Sequence, residues 1–325
     1  MRRSLRPLAI LAAAALAAVC LARRESVAAE PASPALVFGD EFWKHWGDNR
    51  AELSGYDLTF RRYGTLRQGV AVAIFVTETF SNSVRVKSDP GKHPKSDEFP
   101  VMKLNLVEDF ATGIYDYNLM TSSFVALTPV NGRPAGSLTK ISFSSQEWCG
   151  NVYSQVLFDA SSARLTSHSY FDGEADQSRS IPVPAGALPA DAILLWARGL
   201  AAPPLRRGES REVPLLRSLE TSRLNHVSLE VERATLRREA GPARVTVPAG
   251  TFEVERRTVE FAGGPTWRVA VEAAEPHRIV EWETSDGQKA SLLASERLQY
   301  WKLNGEEGKS ALAKIGLQTR PPRTP

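Results

Sequence analysis

Val70-Ala71-Val72-Ala73-Ile74-Phe75-Val76 is apolar at every position. In an extended chain successive side chains point to opposite sides, so Val70, Val72, Ile74 and Val76 share one face and Ala71, Ala73 and Phe75 the other. The segment reads as a strand that is apolar on both faces. Period-two alternation spreads outward from it. Tyr56, Leu58 and Phe60 precede it, and Leu104/Leu106, Tyr115/Tyr117/Leu119 and Ile141/Phe143 follow. Asp89-Pro90-Gly91, Ala111-Thr112-Gly113 and Asn131-Gly132-Arg133-Pro134 supply turns between them. Short alternating runs punctuated by Gly and Pro predict an antiparallel meander.

Two segments depart from this rhythm. Gly39 to Trp46 predicts one short helix, with Asp40 as its cap and Phe42, Trp43 and Trp46 on its apolar face. Ile193, Trp196, Ala197 and Leu200 fall at i, i+3, i+4 and i+7, which predicts a helix over 187–204. Pro189 suits its first turn, and Gly199 with Pro203-Pro204 stops it. Alternation then resumes in Val227/Leu229/Val231, Val245/Val247, Trp267/Val269/Val271 and Val280/Trp282. Phe252 and Val254 are out of phase with Val259 and Phe261, which predicts a β-bulge near Arg256-Arg257. The expected fold class is mainly β: an antiparallel meander forming a curved sheet or partial barrel, with one or two short helices. Whether the two β-rich halves share one sheet stays open at this level.

The N-terminus reads as an export signal. Met1 to Arg6 is basic, the 15 residues Leu8 to Ala22 are apolar, and Val27-Ala28-Ala29 offers a small-residue exit before Glu30. The apolar run is shorter than the ~18–20 residues needed to span a bilayer, so cleavage after Ala29 is expected, with no transmembrane span after processing. Acylation at Cys20 is the weaker alternative, because Val19 stands where lipoprotein signals carry a smaller residue. The expected location is therefore periplasmic or secreted. The expected organisation is a signal peptide 1–29, a linker 30–38, an N-terminal β-rich region 39–186, the helix 187–204, a C-terminal β-meander 205–304 and a disordered tail 305–325.

Processing removes five arginines and Glu25, which takes the formal charge from +3 to −1. A near-neutral chain lacks the electrostatic footprint of a nucleic-acid binder. The pairs Arg206-Arg207, Arg237-Arg238 and Arg256-Arg257 read as solvated strand edges. Cys149 is the one cysteine left after cleavage, so no internal disulfide is available.

Val245-Thr246-Val247-Pro248-Ala249-Gly250-Thr251-Phe252-Glu253-Val254 leads into Gly263-Gly264, Trp267, Pro276-His277-Arg278-Ile279-Val280 and Asp286-Gly287. In that order, over residues 243 to about 300, these segments resemble the DUF3108-like periplasmic domains of unknown function. The resemblance implies an antiparallel sheet curled into a partial barrel, somewhat like periplasmic lipoprotein carriers. That family has no established activity, so it implies no catalytic residue. Read physically, Pro248 and Gly250 make a corner.

Candidate chemistry is sparse. Cys149 lies beside Glu147 and Trp148, with His168 19 residues on, and a thiol paired with an imidazole is a potential nucleophile. The competing reading is a buried cysteine acting as a small hydrophobe. Asp172-Gly173-Glu174-Ala175-Asp176 lacks the calcium-loop spacing and reads as a hairpin turn. Gly308-Lys309-Ser310 lacks the glycine a phosphate loop requires, and the five histidines show no metal-ligand spacing. No cofactor and no metal are expected. Among the seven tryptophans, Trp148 and Trp267 are candidates to line an apolar cleft. The function expected is that of an exported noncatalytic envelope protein, binding an apolar or amphipathic small molecule or an envelope protein. The alternatives are a cysteine hydrolase using Cys149 and His168, or a structural interaction module.

Overall fold

A computed structural model describes residues 35–319; the expected signal segment, with Cys20 and the expected exit at Ala29, lies outside the described residues. In chain order the first strands are β1 (Ala51–Arg62), β2 (Thr65–Ser81), β3 (Glu98–Ala111), β4 (Asp116–Ala126), β5 (Leu138–Glu147), β6 (Gly150–Phe158), β7 (Ser162–Ser169) and β8 (Gln177–Pro182). There follow β9 (Leu188–Pro189), β10 (Ser210–Leu216), β11 (Val231–Arg238), β12 (Ala243–Val247), β13 (Gly250–Phe261), β14 (Trp267–Glu272), β15 (Ile279–Thr284) and β16 (Lys289–Leu298). Helix α1 (Asp40–Trp46) precedes β1, while α2 (Ile193–Ala197) and α3 (Leu219–Asn225) interrupt the second set. Asp40 is the first residue of α1 and Gly39 holds the cap position without a side-chain bond.

All sixteen strands form one sheet, in the order β8-β7-β6-β5-β4-β3-β2-β1-β16-β15-β14-β13-β11-β10-β9, with β12 paired to β13 off this path. Pairing is antiparallel except for the two-residue contact of β9 with β10. The path keeps two ends, so the sheet curves without closing into a barrel. Its two halves are joined where β1 meets β16, from Ala51↔Leu298 to Thr59↔Lys289. The β1–β2 hairpin turns on Tyr63 and Gly64, both at positive φ (53° and 71°), the geometry that follows the natural twist of the strands it joins.

One face of the sheet holds the core. Tyr56, Leu58 and Phe60 of β1 meet Ala71, Ala73 and Phe75 of β2, Leu104 and Phe110 of β3, and Trp282 of β15. All five residues of α2 are buried in the same cluster. That explains why the helix expected over 187–204 is mostly absent. Leu188 and Pro189 are recruited as a strand beside β10, and Ala190–Ala192 is a 3-10 turn. Five residues of α-helix remain before Gly199, at φ 76°, closes the segment. A short helix enclosed on all sides needs no polar face, so Leu194 and Leu195 are buried beside the expected stripe.

Arg198, directly after α2, reaches Glu52 on the concave face of β1 through Nη1 to Oε1 at 2.6 Å and Nη2 to Oε2 at 3.2 Å. The two side chains are 1% and 2% exposed. Nη2 also donates to the Pro276 carbonyl at 2.8 Å, and the guanidinium carbon sits 4.3 Å from the Phe75 ring centroid. One bidentate pair thus ties α2 to β1 and to the β14–β15 connection.

Two further expectations are corrected. No bulge interrupts β13 near Arg256-Arg257, because its register with β14 is continuous from Val254↔Glu272 to Val259↔Trp267. Instead β13 changes partner on its other edge, β12 for its first five residues and β11 from Arg257 onward. Val254 and Val259 are both fully buried in the one core cluster, and Phe252 and Phe261 both pack against it. The arginine pairs are not merely solvated edges either. Arg207, Arg238 and Arg257, one from each pair, converge on the buried Glu255. Burial raises that carboxyl, but the three guanidiniums outweigh it and hold it below its usual range.

The C-terminal segment is ordered well beyond residue 305. Glu306–Ile315 forms a 3-10 helix that ends at Gly316, and Ile315 packs on Ala51, Leu53 and Val76 on the outer face of the sheet. Charge and proline content suggested disorder, but Ile315 and Leu317 cover an apolar patch that the strands leave open. Gly55 permits the approach, since a Cβ there would stand 2.1 Å from the Ile315 carbonyl oxygen.

Removing one partner of a buried pair leaves an uncompensated charge. Arg198→Met is expected to cost about 3–5 kcal/mol in urea unfolding, and Glu52→Leu/Arg198→Met to recover most of it. A single-variant loss below about 1 kcal/mol, the scale of an exposed pair, would show that the pair does not hold α2 in place. Gly55→Ala is expected to release residues 306–317, visible as faster hydrogen exchange there, at a cost of about 2 kcal/mol. Unchanged protection in that segment would refute the close-packing account.

Candidate functional site

Helix α3 divides the space on the concave side of the sheet. Ser218 caps it, its Oγ accepting from Thr221 N at 2.9 Å, and His226 ends it in the left-handed region at φ 54°. At its C-terminal end, Arg62 of β1 donates through Nη1 to the Leu224 carbonyl at 2.8 Å. A cation placed there satisfies an orphan carbonyl and opposes the helix dipole. The same guanidinium donates through Nε and Nη2 to Tyr117 Oη at 3.2 and 3.1 Å, and Tyr63 Oη lies 2.7 Å from that oxygen.

On one side of α3 lies a cavity of about 330 Å³. Phe60, Leu104, Leu106, Leu224 and Trp267 form apolar wall, while Asp191 and Glu220 also line it. Exposed turn residues Gly64, Gly263 and Asp286 stand at its rim. On the other side of α3 a second cavity of about 260 Å³ is lined by Ser154, Ser167, Arg179, Ser222 and Arg223 among others.

Glu220, in the wall of the first cavity, meets a buried acid behind it. Glu108 occupies the core-facing row of β3 between Leu106 and Phe110 and is 2% exposed. Its carboxyl is hydrogen-bonded to that of Glu220 in the first turn of α3. Burial pushes Glu108 up to about 7, and burial together with the Glu108 charge raises Glu220 well above the ordinary carboxylate range. Two carboxyls in hydrogen-bond contact hold a proton between them, because both cannot ionise there. Asp191 accepts the Leu219 N–H with both oxygens at 3.2 and 3.3 Å, and burial pushes it up to about 7. The cavity therefore combines an apolar wall with carboxyl groups able to donate as well as accept hydrogen bonds near neutral pH.

Of the residues singled out in the sequence, Trp267 lines this cavity at the start of β14. Trp148 lies elsewhere, 66% exposed at the β5–β6 turn and stacked on Tyr115 with centroids 6.1 Å apart. Cys149, at the same turn, is exposed rather than buried as a small hydrophobe. The hydrogen bond and charge of Glu147 raise its thiol, the reverse of what a nucleophile requires. His168 stands opposite Tyr153 on β7 and its Nδ1 is 2.9 Å from Asp176 Oδ1. Tyr115 and Arg223 also act on the Cys149 thiol. Asp172-Gly173 lies in the β7–β8 connection, where Gly173 takes φ 77° and Glu174 contacts His226. Sequence reasoning missed Glu108, Asp191 and Glu220. One signal existed: Met102, Leu104, Leu106 and Phe110 share a strand face, and the remaining position in that row is an acid.

No family model matches the chain, and no curated protein matches it. A solved structure, a β-barrel-like protein of the domain of unknown function DUF1849 from Brucella abortus, aligns at a TM-score of 0.42. Identity is 11%, and the alignment covers 76% of this chain and 98% of that one. No helix among the described residues is long and apolar enough to cross a membrane.

The raised carboxyls carry a pH signature. They keep a proton in the folded chain where the unfolded chain, near its ordinary value of 4.5, has lost it. Their contribution to stability therefore falls as pH rises from 4.5 through about 7. Glu220→Gln is expected to flatten that fall and to exceed the parent at pH 8 by on the order of 2 kcal/mol in urea unfolding. An unchanged pH slope in the variant would refute the shared proton.

Proposed function

We propose that this chain is an exported, noncatalytic envelope protein that holds an apolar or amphipathic small molecule in the first cavity. The observation that carries the reading is the cavity's mixed wall. Phe60, Leu104, Leu106, Leu224 and Trp267 offer apolar surface, and Asp191 and Glu220 offer convergent hydrogen-bonding groups. Its volume of about 330 Å³ lies at the lower end of the range for small-molecule sites, roughly 300–1,000 Å³. Apolar surface supplies affinity there, and a few fixed polar groups orient the ligand. The basic head, apolar run and small-residue exit of residues 1–29 support export to the periplasm or beyond. The resemblance of residues 243–300 to DUF3108-like periplasmic domains supports the same setting.

A protein partner in the envelope is the second reading. It is favoured by Ile114, Trp148 and Tyr170, which are 76%, 66% and 72% exposed at the turns after β3, β5 and β7. Exposed large apolar side chains of this kind mark interaction surfaces where they gather into a patch. The cysteine-hydrolase reading is disfavoured by the raised Cys149 thiol and by the engagement of His168 with Asp176.

Native mass spectrometry of the processed protein from its own envelope fraction tests this reading directly. The expected result is a chain beginning at Glu30 with an organic adduct that solvent extraction removes. Leu106→Trp, which fills the cavity from β3, is expected to lower adduct occupancy about tenfold while the circular dichroism spectrum stays that of the parent. A clean apo mass for the parent would reject a held ligand and favour the partner reading. A mass that retains residues 1–29 would reject processing.

A further inference from the structure

The second cavity, on the far side of α3, is chemically unlike the first. Strands β6, β7 and β8 contribute Ser154, Ser167 and Gln177 to its wall, and α3 contributes Ser222 and Arg223. Arg223 is 5% exposed, and its guanidinium carbon lies 3.7 Å from the Phe171 ring centroid. It pairs with Glu147, Nη2 to Oε1 at 3.6 Å, outside hydrogen-bond length, and the Glu174 carboxylate acts on it more strongly still. Nε and Nη1 of Arg223 are both buried and have no hydrogen-bond partner among the described residues. Ser222 Oγ, on the adjacent residue of the same wall, is buried and unpartnered as well.

Buried polar groups are almost always satisfied, and leaving a charged donor unmade forfeits its full desolvation cost. Three such atoms on two neighbouring residues that line one cavity therefore define what would complete it. A guanidinium only donates, so its complement is an acceptor, and its charge selects an anionic one. The hydroxyl supplies a further donor. Arg179 adds a second cation to the lining, its Nη2 donating to the Leu229 carbonyl at 3.3 Å. The acid in the lining, Glu174, is engaged with His226. Four serines, a glutamine and two arginines share the wall of these roughly 260 Å³ with five aliphatic side chains, room for a compact oxyanion with water around it.

We propose that the cavity between α3 and strands β6–β8 is an oxyanion site, in which Arg223 and Ser222 take a carboxylate or phosphate group. Inorganic phosphate and acetate, titrated separately into the processed full chain by calorimetry at constant ionic strength with chloride as the balancing salt, test it. Saturable binding of either anion is expected. Arg223→Gln should weaken it at least about tenfold, and Ser222→Ala, which removes one oxygen from a folded helix, a few-fold. Binding of phosphate alone would assign a phosphate-bearing ligand, and binding of acetate alone a carboxylate. Absence of saturable heat with both anions would overturn the proposal, as would binding that is unchanged in Ser222→Ala and Arg223→Gln. The two cavities are separable in this way, because solvent extraction reports on the first and anion titration on the second.

Discussion

The ladder between β1 and β16 is the contact on which the rest of the sheet depends. It joins residues 51–59 to residues 289–298, nearly the full length of the described chain apart. Every other neighbouring pair along the path lies either within β1–β8 or within β9–β16. Without this ladder the sheet would fall into two halves, each with a raw edge of unpaired backbone groups. Closing so long a loop costs entropy, which local contacts do not repay. Burial of Tyr56 against Trp282, ring centroids 4.7 Å apart, is part of what offsets that cost, because it joins the two halves through side chains.

The concave side of this sheet is not uniformly apolar, and the departures cluster around α3. Near α2 the interior is made of Leu, Ile, Phe and Trp, with Arg198 and Glu52 paired at the edge. Around α3 it carries Glu108 against Glu220, Asp191 on the helix's first N–H, and Arg223 with two unsatisfied donors. Each of these lowers stability relative to an apolar residue of the same size. The other end of the fold packs as an ordinary core, so these costly polar groups are concentrated beside the two cavities.

The strands were largely legible, because alternation is written along each one. The row Tyr56, Leu58, Phe60 and the row Ala71, Ala73, Phe75 do face the core. The apolar character of the opposite face of β2 also has a physical counterpart, since Val76 packs with Leu53 against Ile315. The sites were less legible. Trp267 was recognisable as a large aromatic at a strand start, but its place in a cavity wall depends on α3, which begins at Leu219 in a separate part of the chain. Cys149 drew notice for its uniqueness, whereas its chemistry is decided by Glu147 two residues earlier.

What the sequence determined by itself is what short-range physics controls. Side-chain alternation selects strands, positive-φ glycines and asparagines place turns, and the signal-like composition of residues 1–29 stands apart from the rest. Tertiary structure alone decided the β1–β16 junction, the partner change along β13, the shortening of the 187–204 segment to five α-helical residues and the docking of 306–315. It also decided that Glu108 meets Glu220 across more than a hundred residues of chain. The reason is common to all of them. Each depends on which distant surface covers a residue, and local periodicity records only that a face will be covered, not by what.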